Sequence, residues 1–128
     1  MNLILDTHTF IWWDSDISQM SQKARHLVED TSNTIYLSMA SVWEIQIKRN
    51  IGKLETRKPI AQLIRDQQKN GIKLLSISLE HLIALESIGD FHRDPFDRLI
   101  IAQALTEELA IITKDKAFRH YDVPLVWN

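Results

Sequence analysis

Apolar residues in this chain fall into short runs separated by helical spacings. Residues 2–6 (NLILD) form a brief apolar run that ends in an acid, the signature of a buried strand. Residues 34–38 (TIYLS) are β-branched and aromatic, which predicts a second strand. IKLLSI at 72–77 and AIIT at 110–113 predict a third and a fourth. VPLVW at 123–127 predicts a fifth, placed at an edge because Pro124 lacks a ladder donor.

Between these strands the period changes. A helical turn is expected over 9–13. Ala24, Leu27 and Val28 set a helix over 21–30 behind Ser21 as its cap. Residues 41–50 alternate at the helical period, with Gly52 as the stop. Pro59 opens a helix with Ile60, Leu63 and Ile64 on one face and Gly71 at its close. Ser78 caps a helix over 79–87. A loop at 89–94 leads to a helix running through Glu108, and a short helix is expected at 114–120. Apolar strands alternating with helices imply an α/β fold with a parallel sheet covered on both faces. In such sheets ligands bind beyond the carboxyl ends of the strands.

The 128 residues suit one domain over 1–128, and 45% hydrophobic content is ample for its core. With no cysteine, disulfides and zinc–thiolate sites are excluded. The opening residues lack a basic leader, and no apolar run is long enough to span a bilayer, so a soluble, cytoplasmic protein without membrane contact is expected. A net charge of −2 excludes a globally basic surface for duplex DNA; any nucleic-acid contact must use a local patch or a metal ion.

Strand ends and helix starts share one edge of an α/β sheet. Asp6 ends the first strand, and Asp115 follows Thr113 at the end of the fourth. Glu44 lies in the helix after the second strand, and Asp97 lies in the first turn of the helix before the fourth. Four carboxylates from four segments are thus brought toward one place. Most have an ordinary alternative. Ser41 and Glu44 fit a capping box, and Glu44 can also pair with Lys48. Asp94 is a good N-cap, Pro95 a good first residue, and Asp97 then falls where the helix dipole favours an anion. Asp115 can start a turn. Asp6 has no cap to make unless the next turn is helical. Ile100, Ile101 and Ala104 share the face of Asp97, so that acid heads a buried stripe.

Carboxylates gathered at one edge repel each other unless some are protonated or a cation holds them. An all-oxygen set favours Mg²⁺ or Mn²⁺ over zinc. Such a cluster suits phosphodiester hydrolysis.

"LILDTHTFIWW", "SVWEIQIKRNIGKL", "HRDPFDRLIIAQAL" and "IITKDKAF" occur in the order and at the spacing of PIN-domain proteins. The chain resembles most the VapC-like toxins of type II toxin–antitoxin pairs, and the resemblance runs from the first strand to residue 118. It implies a three-layer α/β/α fold around a five-stranded parallel sheet and an endoribonuclease dependent on Mg²⁺ or Mn²⁺. It places the family acids on Asp6, Glu44, Asp97 and Asp115, with Thr113 as a supporting hydroxyl and Asp94 outside the metal set. Asp6 and Asp97 are then the expected direct ligands of the main ion, with Glu44 and Asp115 acting through water or a second ion. The resemblance further implies an RNA substrate, a homodimer and a small antitoxin protein whose peptide obstructs the site.

Several features carry competing readings. Lys48, Arg49, Lys53, Arg57 and Lys58 form the strongest basic cluster; it can contact RNA, but a solvated helix end is the simpler reading. Trp12 and Trp13 are adjacent, so one helix face cannot bury both, and one is a candidate for a partner surface. Trp43 is expected in the core. The histidines at 8, 26, 81, 92 and 120 show no zinc spacing, and His8 is the one near Asp6. Two rivals stand. "DTHT" keeps the first Asp of the D-x-D-x-T pattern of haloacid-dehalogenase-like phosphatases, with Asp6 as nucleophile, but His8 replaces the second Asp. The other rival is a non-catalytic PIN-like scaffold that only binds RNA or a partner.

Overall fold

A computed structural model describes residues 1–91 and 94–128; His92 and Arg93 of the expected 89–94 loop lie outside the described residues. The order is β1 (Asn2–Leu5), α1 (Thr7–Ser15), α2 (Gln22–Glu29), β2 (Thr34–Ser38), α3 (Met39–Asn50), α4 (Ile60–Lys69), β3 (Lys73–Leu75), α5 (Leu79–Ala84), α6 (Pro95–Glu107), β4 (Ala110–Ile112) and β5 (Leu125–Val126). Short 3₁₀ turns occupy Ile17–Gln19 and Lys116–His120.

The five strands form one parallel sheet in the order β3-β2-β1-β4-β5. β5 is the edge that Pro124 foretold. Alternation along β1 divides the core. Leu3 and Leu5 face one way and pack with Phe10, Ala24, Leu37, Ile45 and Leu63 from α1, α2, β2, α3 and α4. Ile4 faces the other way, against Ile100, Ile101 and Ala104 of α6 and Phe118 of the second 3₁₀ turn. The result is three layers, α/β/α.

Helix starts differ from expectation in two places. α1 begins at Thr7, directly after β1, so Asp6 is its N-cap and accepts from the Thr9 N–H at 2.8 Å. α3 begins at Met39 behind Ser38, whose hydroxyl accepts from the Ala40 N–H at 3.0 Å. The capping box expected at Ser41 and Glu44 is therefore absent: the helix starts a turn earlier, and both side chains turn inward as buried residues. Asp94 does cap α6, accepting from the Phe96 and Asp97 N–H groups, with Pro95 in the first turn. α6 ends on Glu108 in the left-handed region at φ 58°. β3, β5 and α5 are shorter than their apolar patterns suggest.

Trp43 is 60% exposed, so the core position expected for it is wrong; its ring packs edge-on against Phe96 at 5.3 Å. Trp12 and Trp13 are both half-buried. Trp13 donates to Gln67 Oε1 at 2.9 Å, and Trp12 meets Trp127 edge-on at 5.9 Å. Among the described residues, no helix is long and apolar enough to cross a membrane.

Candidate active site

Strands are added on one side of β1 through β3, and the chain then crosses to add β4 and β5 on the other. The order thus reverses between β1 and β4, and a crevice opens beyond their carboxyl ends. Asp6 follows β1, and Thr113 and Asp115 follow β4, so both sides of that switch point carry acids.

Asp6 is buried and held at both oxygens. The Thr9 N–H donates to Oδ1, and the Thr113 hydroxyl donates to Oδ2 at 2.5 Å. The Thr113 oxygen also accepts from the Asp115 N–H at 3.0 Å, so one hydroxyl links two of the expected acids. Asp115 in turn caps the 3₁₀ turn through the Ala117 N–H. Desolvation raises the pKa of Asp6 above its ordinary value, against the lowering hydrogen bonds from Thr113 and Thr9 and the nearby His8.

Glu44 is 2% exposed, and each of its oxygens has a partner. The Thr7 hydroxyl donates to Oε1 at 2.6 Å and lies 3.0 Å from Ser41 Oγ; the Lys48 ammonium donates to Oε2 at 2.6 Å. The i,i+4 pair expected for Glu44 is present. Thr7 and Thr9 are not singled out by the sequence reading. Their signal is a D-T-x-T segment at a strand-to-helix junction, where hydroxyls fall beside the capping acid.

Asp97 ties the group together. Burial pushes its pKa up to about 8, and the charges of Asp94, Asp6, Glu44 and Asp115 add to the rise in that order. All four expected acids thus lie within one electrostatic neighbourhood. Among the described residues, however, no three acids or histidines already stand as a closed set of metal ligands. His8 is exposed beside this crevice, 6.0 Å from the Trp12 ring. His81 is far from it in role: its ring accepts from the Ser78 N–H and lies 2.9 Å from Glu107 Oε1. The basic segment at the end of α3 and beyond is partly neutralised, since Lys48 is bound to Glu44 and Lys58 to Asp66.

A parallel α/β/α sandwich with acids at its switch point places the chain among the α/β proteins whose candidate sites lie beyond the carboxyl ends of the strands. The PIN domain family profile matches residues 3–124, and the chain belongs to that family. Ribonuclease VapC22 of Mycobacterium tuberculosis is 24% identical over 125 residues, covering 95% of this chain and 93% of that protein. Ribonuclease VapC16 of the same organism is 38% identical over 60 residues, covering 46% of this chain and 43% of that protein. In the crystal structure of VapBC2 from Rickettsia felis bound to a DNA fragment from their promoter, one chain matches with a TM-score of 0.74. It is 17% identical, with both chains covered completely, a likeness of fold alone. Membership of the PIN family displaces the phosphatase reading of "DTHT".

Proposed function

We propose that this protein is a divalent-metal-dependent endoribonuclease, acting in the cytoplasm as the toxin of a type II toxin–antitoxin pair. The observation that carries the reading is the placement of Asp6 and Asp115 at the switch point, joined through the Thr113 hydroxyl, with the charges of Asp94, Asp6, Glu44 and Asp115 all bearing on the half-buried Asp97. That much like charge in a half-buried crevice fits a bound cation, and an all-oxygen set fits Mg²⁺ or Mn²⁺. Asp6 and Asp97 would hold the ion directly, with Glu44 and Asp115 acting through water. When bound, the ion activates water and polarises a phosphoryl oxygen.

The chain's own residues fix the geometry. Thr113 orients Asp6 and the backbone of Asp115. Thr7 and Lys48 hold both oxygens of Glu44. Asp94 caps the helix that presents Asp97. The ribonuclease relatives support RNA as substrate. The VapBC assembly among the fold neighbours supports a small antitoxin partner. Leu79, Leu82 and Ile83 of α5 and Trp43 of α3 are exposed, and such apolar residues suit that partner and a homodimer.

The test is incubation of purified protein with total RNA, with Mg²⁺ or Mn²⁺ or with EDTA, followed by mapping of the new ends. Metal-dependent internal cuts are expected, and Asp6→Ala or Asp97→Ala should abolish them. Undiminished cutting by both folded variants would overturn the site. RNA binding without any metal-dependent cutting would favour the non-catalytic scaffold.

A further inference from the structure

An acidic crevice repels the phosphates it must admit, and the chain as a whole carries −2. Cations close to the crevice are therefore required for any RNA to dwell there. The basic segment at the end of α3 and beyond offers fewer than its sequence suggests, because two of its lysines are in ion pairs. Lys53 and Arg57 of that segment are also exposed and, among the described residues, outside any ion pair, but they do not line the crevice; Lys114, Lys116 and Arg119 do. All three are exposed, and among the described residues none has a carboxylate within ion-pair distance.

These cations line two clefts that join. One, of about 580 Å³, is walled by Asp6, His8, Trp12, Lys114, Asp115 and Lys116. The other, of about 420 Å³, shares Lys114, Asp115 and Lys116 with the first and continues past Arg119 to Val126 and Trp127. Trp12 and Trp127, which meet edge-on, stand one in each cleft. The path thus starts at the acid that ends β1, crosses the 3₁₀ turn and reaches the edge strand β5. Cations spaced along it match a phosphate backbone, and aromatic faces beside them match bases.

We propose that this joined groove binds single-stranded RNA leading away from the cleaved bond. Lys114, Lys116 and Arg119 contact phosphates, and Trp12 stacks on a base. The proposal rests on the ribonuclease reading and adds where the substrate lies. Phosphate contacts set the register of the strand, and stacking adds affinity without a demand for sequence.

The experiment follows anisotropy of a labelled, random-sequence single-stranded RNA pool with the full chain in EDTA, across a salt series. Each lost phosphate contact lowers the slope of log affinity against log salt by about 0.7 for single strands, so replacing all three cations should lower it by about 2. Lys114→Gln with Lys116→Gln and Arg119→Gln is expected to do this and to weaken low-salt binding at least about tenfold. The matching triple Lys53→Gln, Arg57→Gln and Lys69→Gln should keep the parental slope. Trp12→Leu should weaken binding about tenfold with the slope intact, since stacking releases no counterion. A groove triple that melts like the parent and keeps its slope overturns the groove, as does an equal loss in the other triple. Loss of slope in the groove triple, in a parent that cuts no RNA with metal, overturns the nuclease reading and leaves the groove standing.

Discussion

Asp97→Asn should make the metal-free protein more stable while removing its activity. Asp97 has an ordinary pKa of 3.8, and burial with the surrounding acids raises it to about 8 in the folded chain. Between those values the folded state binds a proton that the unfolded state has released. Stability is therefore full below about pH 4 and falls as pH rises through 8, by about 1.4 kcal/mol per pH unit. At pH 7 the cost is about 4 kcal/mol. Asparagine keeps the shape and carries no charge. It forgoes the favourable dipole interaction of an anion at this helix position, but a protonated Asp97 at pH 7 forgoes it too. Urea unfolding in EDTA at pH 5, 6, 7 and 8 measures the difference. The variant should gain on the parent steadily from pH 5 to 8. Adding Mg²⁺ or Mn²⁺ should then favour the parent, by about 2.7 kcal/mol at a hundredfold excess over Kd, and leave the variant unchanged. Parent and variant curves that run parallel across this pH range in EDTA would refute the reasoning.

Thr113→Val should cost about 1–3 kcal/mol in a urea melt, because it leaves Asp6 and the Asp115 N–H each short of one buried partner. Thr113→Ser should restore most of that, and the metal concentration for half-maximal cutting should follow the same order. Asp94→Ala should cost about 1 kcal/mol through loss of the α6 cap, whereas Asp94→Asn should be nearly neutral by thermal unfolding. Trp43→Ser should change stability by no more than about 0.5 kcal/mol despite the size of the side chain lost, because the residue is mostly exposed.

Element order, the parallel sheet and its edge strand were all legible in the sequence, because buried strands and amphipathic helices leave different periods. The acids were legible as a group because strand ends in such a sheet share one edge. Local chemistry was harder to read where one segment offers two equivalent signals. In "SMAS" either serine can cap a helix, and only packing of Thr7 against Glu44 and Ser41 shows that the first one does. Asp6 has a cap to make only if the next turn is helical; α1 does start at Thr7, and Asp6 caps it and accepts from Thr113 at once, since a carboxylate has two oxygens. Trp43 was misplaced because periodicity along α3 does not say whether anything covers a given face. The Lys114, Lys116 and Arg119 set was missed for a related reason. Its cations are interrupted by Asp115 and an apolar pair, and only the 3₁₀ turn lines them along one groove.

The central strand has its own consequence for synthesis. β1 pairs with β2, some thirty residues on, and with β4, whose partners to Leu3–Leu5 are Ala110–Ile112. A nascent chain that has emerged only as far as α6 already contains Asp6, Glu44 and Asp97, yet β1 has an open edge and Asp6 lacks its Thr113 donor. The crevice is therefore completed only after β4 has been made and slots between β1 and the incoming β5. Chains that stall earlier lack the β1–β4 pairing and the Thr113 contact to Asp6. The order of the strands thus carries a delay of its own: the two halves of the switch point meet only once β4 has joined β1.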